Sequence, residues 1–295
     1  MRFWRVYTCL WFVFLSKLNA YSTNDTLQLK QVADSLFSNK LYYEASIYYQ
    51  KLDFFLLGEA SKIEAKLLAA NCYKLNKNYA AGIDHLNGIN LNEAPDSVIF
   101  NTKYQSALMS YLSNDLTQAE SFLEQLNYLV KDSSYVINSL LLHAFVLNEQ
   151  YKWPQAKEKL YKLNTGLFLN DPITFNRNKI ILDSIYDIKL TPKLKSVDKA
   201  SRMSTFFPGS GQCYAKSYGE GITSFLAITV SAGAMVVGIV YQYYFTSIFL
   251  GNLLISKFYL GGIKRAEFLT EKYNYKHSKK YNEFLKLQVK QNLLK

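Results

Sequence analysis

The chain has few of the residues that build compact chemical sites: 3 cysteines, 3 histidines and 5 prolines in 295 residues. Three cysteines cannot form a disulfide framework, and His85, His143 and His277 are too far apart for a compact zinc module. Intrinsic disorder is excluded too, because 24 tyrosines and 19 phenylalanines are spread over the whole length. The composition predicts one large or two ordinary folded domains, with no metal and no other cofactor.

Catalytic motifs are also missing from the sequence. Gly209-Ser210-Gly211 is not the G-x-S-x-G nucleophile elbow, and no lysine follows it as in a phosphate-binding P-loop. Cys72 is expected to be a small residue of the core, and the acidic residues are scattered along solvated faces. An enzyme is therefore the least favoured class, and no small-molecule substrate is expected.

Charge is distributed unevenly along the chain, whose net charge is +11. Residues 21–188 contain 15 Lys or Arg against 18 Asp or Glu, whereas residues 189–295 contain 16 against 5. A strongly basic final third predicts an anionic partner, either nucleic acid or a membrane surface.

Residues 1–20 have the layout of a secretory signal peptide. Arg2 and Arg5 precede an uncharged apolar run over residues 6–15, and the segment ends in the small residue Ala20. The run is too short to span a bilayer comfortably, so a cleaved signal is the favoured interpretation. The alternatives are an uncleaved signal anchor and a buried N-terminal helix.

Small residues recur at a fixed step of 37 residues through residues 30–163. One series is Ala33, Ala70, Ala107 and Ala144, and a second is Ala45, Gly82, Ala119 and Ala156. Large apolar residues follow each second-series position at +4 and +7, which is one face of a helix. The pattern predicts four helical hairpins with close helix crossings at the small residues. Polar turns are expected at 38–40, 76–78, 113–115 and 148–150.

These stretches resemble the tetratricopeptide repeat family, whose unit is about 34 residues long and has small residues at two helix crossings. The resemblance covers about 135 residues and implies a right-handed helical solenoid whose concave face binds a protein or peptide. We expect a repeat domain over 21–190, in which a helix at 172–188 caps the last hairpin. Tyr48, Asn71, Asn78 and Lys103 are candidates for an exposed binding groove. The alternative is that the helices pack only on themselves.

Residues 204–265 have a different composition and predict a membrane hairpin after a basic linker at 191–203. No Asp, Glu, Lys or Arg occurs from residue 221 to 256, which is enough for two spans at 221–241 and 244–263 if flanking residues contribute. A buried helical pair of a soluble protein is the alternative. The basic residues 266–295 predict an amphipathic helix on anionic lipid headgroups rather than a nucleic-acid site.

A short motif, Pro208-Gly209-Ser210-Gly211-Gln212-Cys213-Tyr214, stands just before the first predicted span. It resembles the P-G-x-G-Q-x-Y motif that opens a small family of bacterial two-helix membrane domains of unknown function. Pro208, Gly209 and Gly211 allow a tight bend at the interface, and Gln212 and Tyr214 can satisfy the backbone groups freed by it. The alternative to this structural role is a contact with lipid or a partner.

Together these features predict an all-α protein, namely an exported and membrane-anchored scaffold or adaptor of the bacterial cell envelope. The alternative is an accessory factor for membrane-protein assembly or transport, in which the hairpin is the functional part. The signal peptide predicts that the repeats lie on the periplasmic or outer side. The basic residues flanking the hairpin favour the opposite sidedness, but charge bias acts mainly on short loops while long domains translocate regardless of it.

Overall fold

The computed structural model describes residues 25–292, and the predicted signal peptide at 1–20 lies outside the described residues. Within this range the protein is helical throughout and contains no strand, so the predicted all-α class is confirmed. The chain divides into two compact units, of which the first extends to Leu182 and the second begins at Asp183.

The first unit consists of successive helical hairpins, as the 37-residue period predicted. Its helices are α1 (25–38), α2 (Tyr42–Phe55), α3 (Glu59–Leu75), α4 (Tyr79–Asn87), α5 (Asp96–Leu112), α6 (Leu116–Leu129), α7 (Ser133–Glu149) and α8 (Trp153–Phe168). A ninth helix, α9 (Pro172–Ile185), follows the last hairpin. Side chains cap several helix starts. Asn78, for example, accepts a hydrogen bond from the Ala81 N–H at the start of α4, and Asp115 accepts one from the Gln118 N–H at the start of α6.

The period is also present in the backbone of the four turns within the hairpins. Lys40, Lys77, Asn114 and Tyr151 are 37 residues apart and all adopt the left-handed conformation, with φ between 60° and 65°. In each turn the next residue's N–H donates to the carbonyl five residues before it, over 2.9–3.0 Å. This is the hydrogen bond of a Schellman helix end. Each hairpin therefore closes with the same backbone geometry.

The fourth turn lies two residues later than the sequence suggested. Helix α7 continues to Glu149, and Asn148, which was expected in the turn, is fully buried. The strict period places the turn at Tyr151, 37 residues after Asn114. The polar run over 148–150 was therefore a poorer guide than the repeat spacing.

The recurring small residues lie at the buried helix crossings. The exposed fraction of Ala33, Ala107, Ala144, Ala45, Ala119 and Ala156 is 0%, Ala70 is 2% exposed, and Gly82 is buried. A Cβ added at Gly82 would lie 2.6 Å from the sulfur of Met109. The residues 37 before and after Met109 are the smaller Cys72 and Val146, and there the crossing residue is Ala. The absent Cβ of Gly82 thus makes room for a larger core side chain.

The second unit contains α10 (Val197–Phe206), α11 (Ser210–Tyr214), α12 (Tyr218–Val240) and α13 (Tyr244–Asn292). Residues 191–203 were expected to be a linker, but they include the start of α10. Ser196 caps this helix, and its Ala200 and Ser204 are buried. Tertiary packing therefore makes a helix out of a polar and basic stretch. The basic segment that begins at residue 266 continues α13 without a break.

Helices α12 and α13 are both long and apolar enough to cross a membrane, and residues 241–243 form the turn between them. Only 6% of the apolar window of each helix is buried, which disfavours the alternative of a soluble core pair. Glycines let the two helices approach closely. A Cβ at Gly251 would lie 2.7 Å from Met235, and one at Gly262 would lie 2.8 Å from Ser224 Oγ.

One buried histidine in the first unit lacks hydrogen bonds. The side chain of His143 is fully buried, and neither ring nitrogen has a hydrogen-bond partner within the described residues. Its Nε2 lies 3.3 Å from Glu124 Oε1 without forming a hydrogen bond. Burial, reinforced by the positive charge of Lys159, lowers the pKa of His143 to about 4. The imidazole is therefore neutral in the folded protein at neutral pH.

The left-handed turns give a first prediction, on stability. Lys77→Gly should raise the free energy of unfolding by about 0.5–1 kcal/mol, because glycine adopts a positive φ without a steric penalty. Lys51→Gly, in the interior of α2, is the matched control and should lower it by about 1 kcal/mol. Trp153 is buried and is the one tryptophan after residue 20, so its fluorescence during urea unfolding of the full chain reports on this unit. A destabilised Lys77→Gly variant would contradict the role assigned to the turn.

His143 gives a second prediction, on pH dependence. Its pKa is lower in the folded chain than in the unfolded chain, so the unfolded state binds more protons between about pH 6.5 and pH 4. Stability should therefore be highest above pH 6.5 and fall as the pH drops through this window. The loss should be as much as about 3 kcal/mol from this group. His143→Leu should flatten the profile, and His85, whose pKa burial also lowers, should retain part of the slope. Equal slopes in the two proteins, measured by the same Trp153 unfolding assay, would exclude His143 as the titrating group.

Candidate functional site

The second unit has a closely packed region where α12 begins and the apolar part of α13 ends, which we call the hairpin base. It comprises α10, α11, residues 215–221 and residues 259–274 of α13. The five motif residues are part of it: Pro208, Gly209, Gly211, Gln212 and Tyr214. The roles of the motif residues therefore follow from their contacts within the hairpin base.

Pro208 and Gly209 form the tight bend that the sequence predicted at this position. The Ser210 N–H donates to the Phe207 carbonyl over 3.0 Å, and Gly209 has φ 89° and ψ −17°. Proline followed by a glycine with positive φ is the arrangement of a type II turn. A Cβ at Gly209 would also collide with the carbonyl oxygen of Gly221. The turn therefore requires glycine both for its backbone conformation and for its close contact with α12.

Gln212 joins three elements of the base through its side-chain amide. It is 1% exposed. Its Nε2 donates to the Gly262 carbonyl on α13 over 2.8 Å, and its Oε1 accepts from Ser204 on α10 over 3.2 Å. Ser204 in turn accepts from the Gly211 N–H over 3.1 Å. The network satisfies polar groups that would otherwise be buried without partners.

Asn274 makes a second long-range link, between α13 and the chain before α10. Its Oδ1 accepts from the Lys195 N–H and its Nδ2 donates to the Lys195 carbonyl, each over 2.8 Å. Tyr214 contributes its hydroxyl, which accepts from the Ser196 N–H over 3.3 Å. The segment before α10 is therefore fixed to the base by backbone hydrogen bonds.

An ion pair marks the end of the uncharged stretch. Nε and Nη2 of Arg265 donate to the two carboxylate oxygens of Glu220, over 2.6 and 2.9 Å. Ser201 donates to Glu267 over 2.6 Å, and the Tyr259 hydroxyl donates to the Thr205 carbonyl over 2.8 Å. Polar contacts thus concentrate at the base, whereas the rest of α12 presents apolar side chains to its surroundings.

An apolar groove of about 510 Å³ lies beside the motif. Its side-chain walls come from α10, the turn, α11 and α12, and include Met203, Phe207, Ile222, Phe225 and Leu226. The rings of Phe207 and Phe225 are parallel, with centroids 6.4 Å apart. The groove is large enough for part of a hydrocarbon chain and has no charged residue in its lining.

The four candidate groove residues of the repeats are placed individually and do not form a cluster. Asn78 is a helix cap, and Tyr48 lies under the ammonium group of Lys51. Lys103 donates to Gln125 over 2.8 Å and lies above the ring of Phe122, and its burial lowers its pKa. Asn71 is half-buried in α3. These contacts are those of structural residues on separate helices.

The described part of the chain contains no candidate metal centre. Within residues 25–292 no three His, Cys, Asp or Glu side chains lie together as a metal site would require. Cys72 and Cys213 are both free, and burial raises the pKa of the Cys72 thiol to about 11, so it is a poor nucleophile. No family model, curated protein or solved structure matches this chain.

The partners of the motif at the hairpin base were not predicted from the sequence. Ser204, Gly262 and Asn274 pair with residues 8, 50 and 79 positions away. The last two pairings depend on how α13 packs, and no local pattern encodes that. A hint was available in the excess of glycine, since 9 of the 13 glycines lie between residues 209 and 262.

The glycines of the base give a third prediction. A Cβ at Gly211 would collide with the Ala200 carbonyl and would lie 2.8 Å from the Ala266 Cβ, whereas nothing lies within 4 Å of a Cβ at Gly219. Gly211→Ala should therefore destabilise the second unit by about 1–3 kcal/mol. Gly219→Ala, in the first turn of α12, should be neutral or stabilising by up to about 1 kcal/mol. Thermal loss of helical circular dichroism by the full chain in detergent micelles measures both. Equal effects of the two variants would contradict the close packing described for Gly211.

Proposed function

We propose that this protein is an exported, membrane-anchored scaffold or adaptor of the bacterial cell envelope, whose helical repeats bind a protein partner. The observation that carries the proposal is the pairing of two different units in one chain. One is a helical solenoid with no centre for chemistry among its described residues. The other has two long helices whose apolar side chains are exposed. The first suits recognition of a protein, and the second suits insertion into a bilayer.

The proposal assigns the first unit to the tetratricopeptide class of repeats. Its support is the 37-residue period, which appears in the buried small residues and in the left-handed turns. Repeats of this kind expose equivalent positions in rows, which a long peptide or a protein surface can contact along several units.

Rows of this kind are exposed on the first helices and on the second helices of the described hairpins. The first helices of the four hairpins expose Leu27, Glu64, Asn101 and Asn138, and the second helices expose Ile47, Asp84, Ser121 and Glu158. A groove of about 360 Å³ lies on the first row, between α1 and α3, with Leu27 and Glu64 in its lining. We therefore assign the partner to the first row.

Crosslinking in living cells tests this assignment and is our fourth prediction. A photoreactive phenylalanine analogue at Asn101 should give one major protein adduct of the full-length chain. The same analogue at Ser121, on the second row and also exposed, should give at least several-fold less. Equal adducts from the two positions would contradict a partner bound along the first row, and the absence of any adduct from Asn101 would contradict the scaffold.

The accessory-factor alternative has its own support in the polar network and the apolar groove of the hairpin base, which are more elaborate than an anchor requires. Under that alternative the hairpin itself contacts a client membrane protein. A photoreactive analogue at Leu253, which is exposed on α13, would then give the dominant adduct.

The proposal places the repeats and the C-terminal segment on the outer side of the membrane, with the hairpin turn on the inner side. This sidedness is supported by the signal-like residues 1–20 and by the two-helix hairpin, which returns the chain to its starting side.

Cysteine labelling tests the sidedness and is our fifth prediction. Lys280 is exposed, so Lys280→Cys should react with a membrane-impermeant maleimide in intact spheroplasts, in a background without the native cysteines. Tyr243→Cys, at the exposed hairpin turn, should react only after lysis. The reverse pattern would mean that the basic flanks of the hairpin, rather than the signal, determine its orientation.

A further inference from the structure

Three lysines gather around two tyrosine rings at the hairpin base. The Lys195 ammonium nitrogen lies 5.0 Å from the ring centre of Tyr214 and 4.2 Å from that of Tyr273. Lys199 lies 5.5 Å from the Tyr214 ring, and Lys216 lies 5.7 Å from the Tyr273 ring. Lys195 and Lys199 lie around the start of α10 and Lys216 lies in the turn before α12, so folding brings these cations together. We call these five residues the lysine cluster.

No carboxylate neutralises the lysine cluster. Among residues 25–292, none of its three ammonium groups forms an ion pair with Asp or Glu. Asp198, next to Lys199 in the sequence, forms no ion pair among these residues, and the carboxylates of Glu220 and Glu267 are bound by Arg265 and Ser201. Burial and the positive charge of Lys216 lower the pKa of Lys195. The cluster therefore has an unbalanced positive potential, which favours binding of an anion.

Lys195 is fixed by the same kind of contacts that build the base. The side-chain amide of Asn274 holds the backbone of Lys195 at both its N–H and its carbonyl, and the Lys195 ammonium donates to the Tyr214 carbonyl. Lys216 is the left-handed residue of the turn between α11 and α12, with φ 63°. A cation held as Lys195 is held loses little conformational freedom when an anion binds.

The lysine cluster adjoins the apolar groove through a shared residue. Tyr214 lines the groove, and its ring is the one that Lys195 and Lys199 contact. An anion at the lysines would thus lie next to a hydrocarbon-sized space. The combination of lysines and an apolar groove matches a molecule with a charged head and an apolar tail. A free inorganic anion would contact the lysines and leave the groove unused.

The height of the cluster relative to the apolar helices agrees with such a ligand. Lys216 precedes α12 by two residues, and Tyr273 lies eight residues beyond Arg265 on α13. The cluster therefore lies just beyond the apolar part of the hairpin, at the level where lipid headgroups would be. Lysine ammonium groups near that level attract anionic lipid.

We propose that the hairpin base contains a discrete site for one anionic phospholipid. Lys195, Lys199 and Lys216 bind its phosphate, and one acyl chain occupies the groove lined by Phe207, Ile222 and Phe225. The proposal rests on the membrane insertion proposed above, and it adds a specific lipid to a general attraction for headgroups.

Native mass spectrometry of the full-length protein in detergent tests the site, with phosphatidylglycerol and phosphatidylcholine added at equal concentration. The wild-type protein should retain one phosphatidylglycerol and bind it at least tenfold more tightly than phosphatidylcholine. The triple variant Lys195→Gln, Lys199→Gln, Lys216→Gln should lose this preference, and the corresponding triple arginine variant should keep it. The matched control replaces the exposed Lys276, Lys279 and Lys280 with Gln, and it should bind like the wild type.

Further arms separate the possible sources of the anion. Ile222→Trp fills the groove and should weaken phosphatidylglycerol binding at least severalfold while leaving the lysines in place. Inorganic phosphate, glycerophosphoglycerol or a short DNA strand that displaced the lipid at equal concentration would overturn the proposal, because none of them uses the groove. Equal losses in the two glutamine triples would overturn it as well, since they would show a diffuse charge effect.

Membrane extraction keeps this result distinct from the proposed function. The glutamine triple variant should stay in the membrane fraction after alkaline carbonate treatment, as should the wild type. Release of the wild type would contradict the membrane anchor. A wild-type protein that stays embedded but binds phosphatidylglycerol no more tightly than phosphatidylcholine would contradict the lipid site alone.

Discussion

One backbone geometry, a helix end closed by a single left-handed residue, recurs throughout this protein. It occurs in the four repeat turns and again at Lys216 and Gln242, where the next N–H donates to the carbonyl five residues back over 2.9 Å. None of these six residues is glycine, so each turn accepts a steric penalty that the packing of the two joined helices must offset. Chain reversal in both units therefore depends on strong helix–helix contacts.

Those contacts are made by different means in the two units. In the repeats, alanines and one glycine at fixed spacing let the helices cross closely, and the core side chain opposite adjusts in size, as Met109 does against Gly82. In the second unit, glycines of α11 and α12 let backbones meet, glycines of α13 make room for side chains of α12, and a buried amide joins the elements. A polar joint such as Gln212 specifies one arrangement more strictly than apolar packing does, because any shift would leave buried groups unpaired.

The sequence predicted the repeats well because the small residues recur at a constant spacing and the apolar residues follow one face of a helix. Both patterns can be read directly from the sequence. The small residues Ala45 and Ala119 show where helices cross, and their burial follows from that role. Composition was a weaker guide than periodicity, since the polar residue Asn148 lies within a buried helix. The extent of the apolar helices could also be predicted, because charged residues are absent over a long stretch.

The hairpin base could be predicted only in part. The bend at Pro208 and Gly209 follows from turn chemistry, but the pairing of Gln212 with Gly262 and of Asn274 with Lys195 arises only when distant segments pack.

The unbroken course of α13 has a mechanical consequence. At 1.5 Å per residue its 49 residues extend over about 73 Å, far more than the roughly 30 Å of a bilayer's hydrocarbon core. The 28 residues that follow Lys264 form a rod of about 42 Å that is continuous with the apolar part. In a bilayer, tilting the apolar part by about 10° to match a change in thickness would move the far end of this rod by roughly 7 Å. In a bilayer, the C-terminal segment would therefore act as a lever, and small changes in membrane thickness would displace its end by a distance on the scale of a side chain.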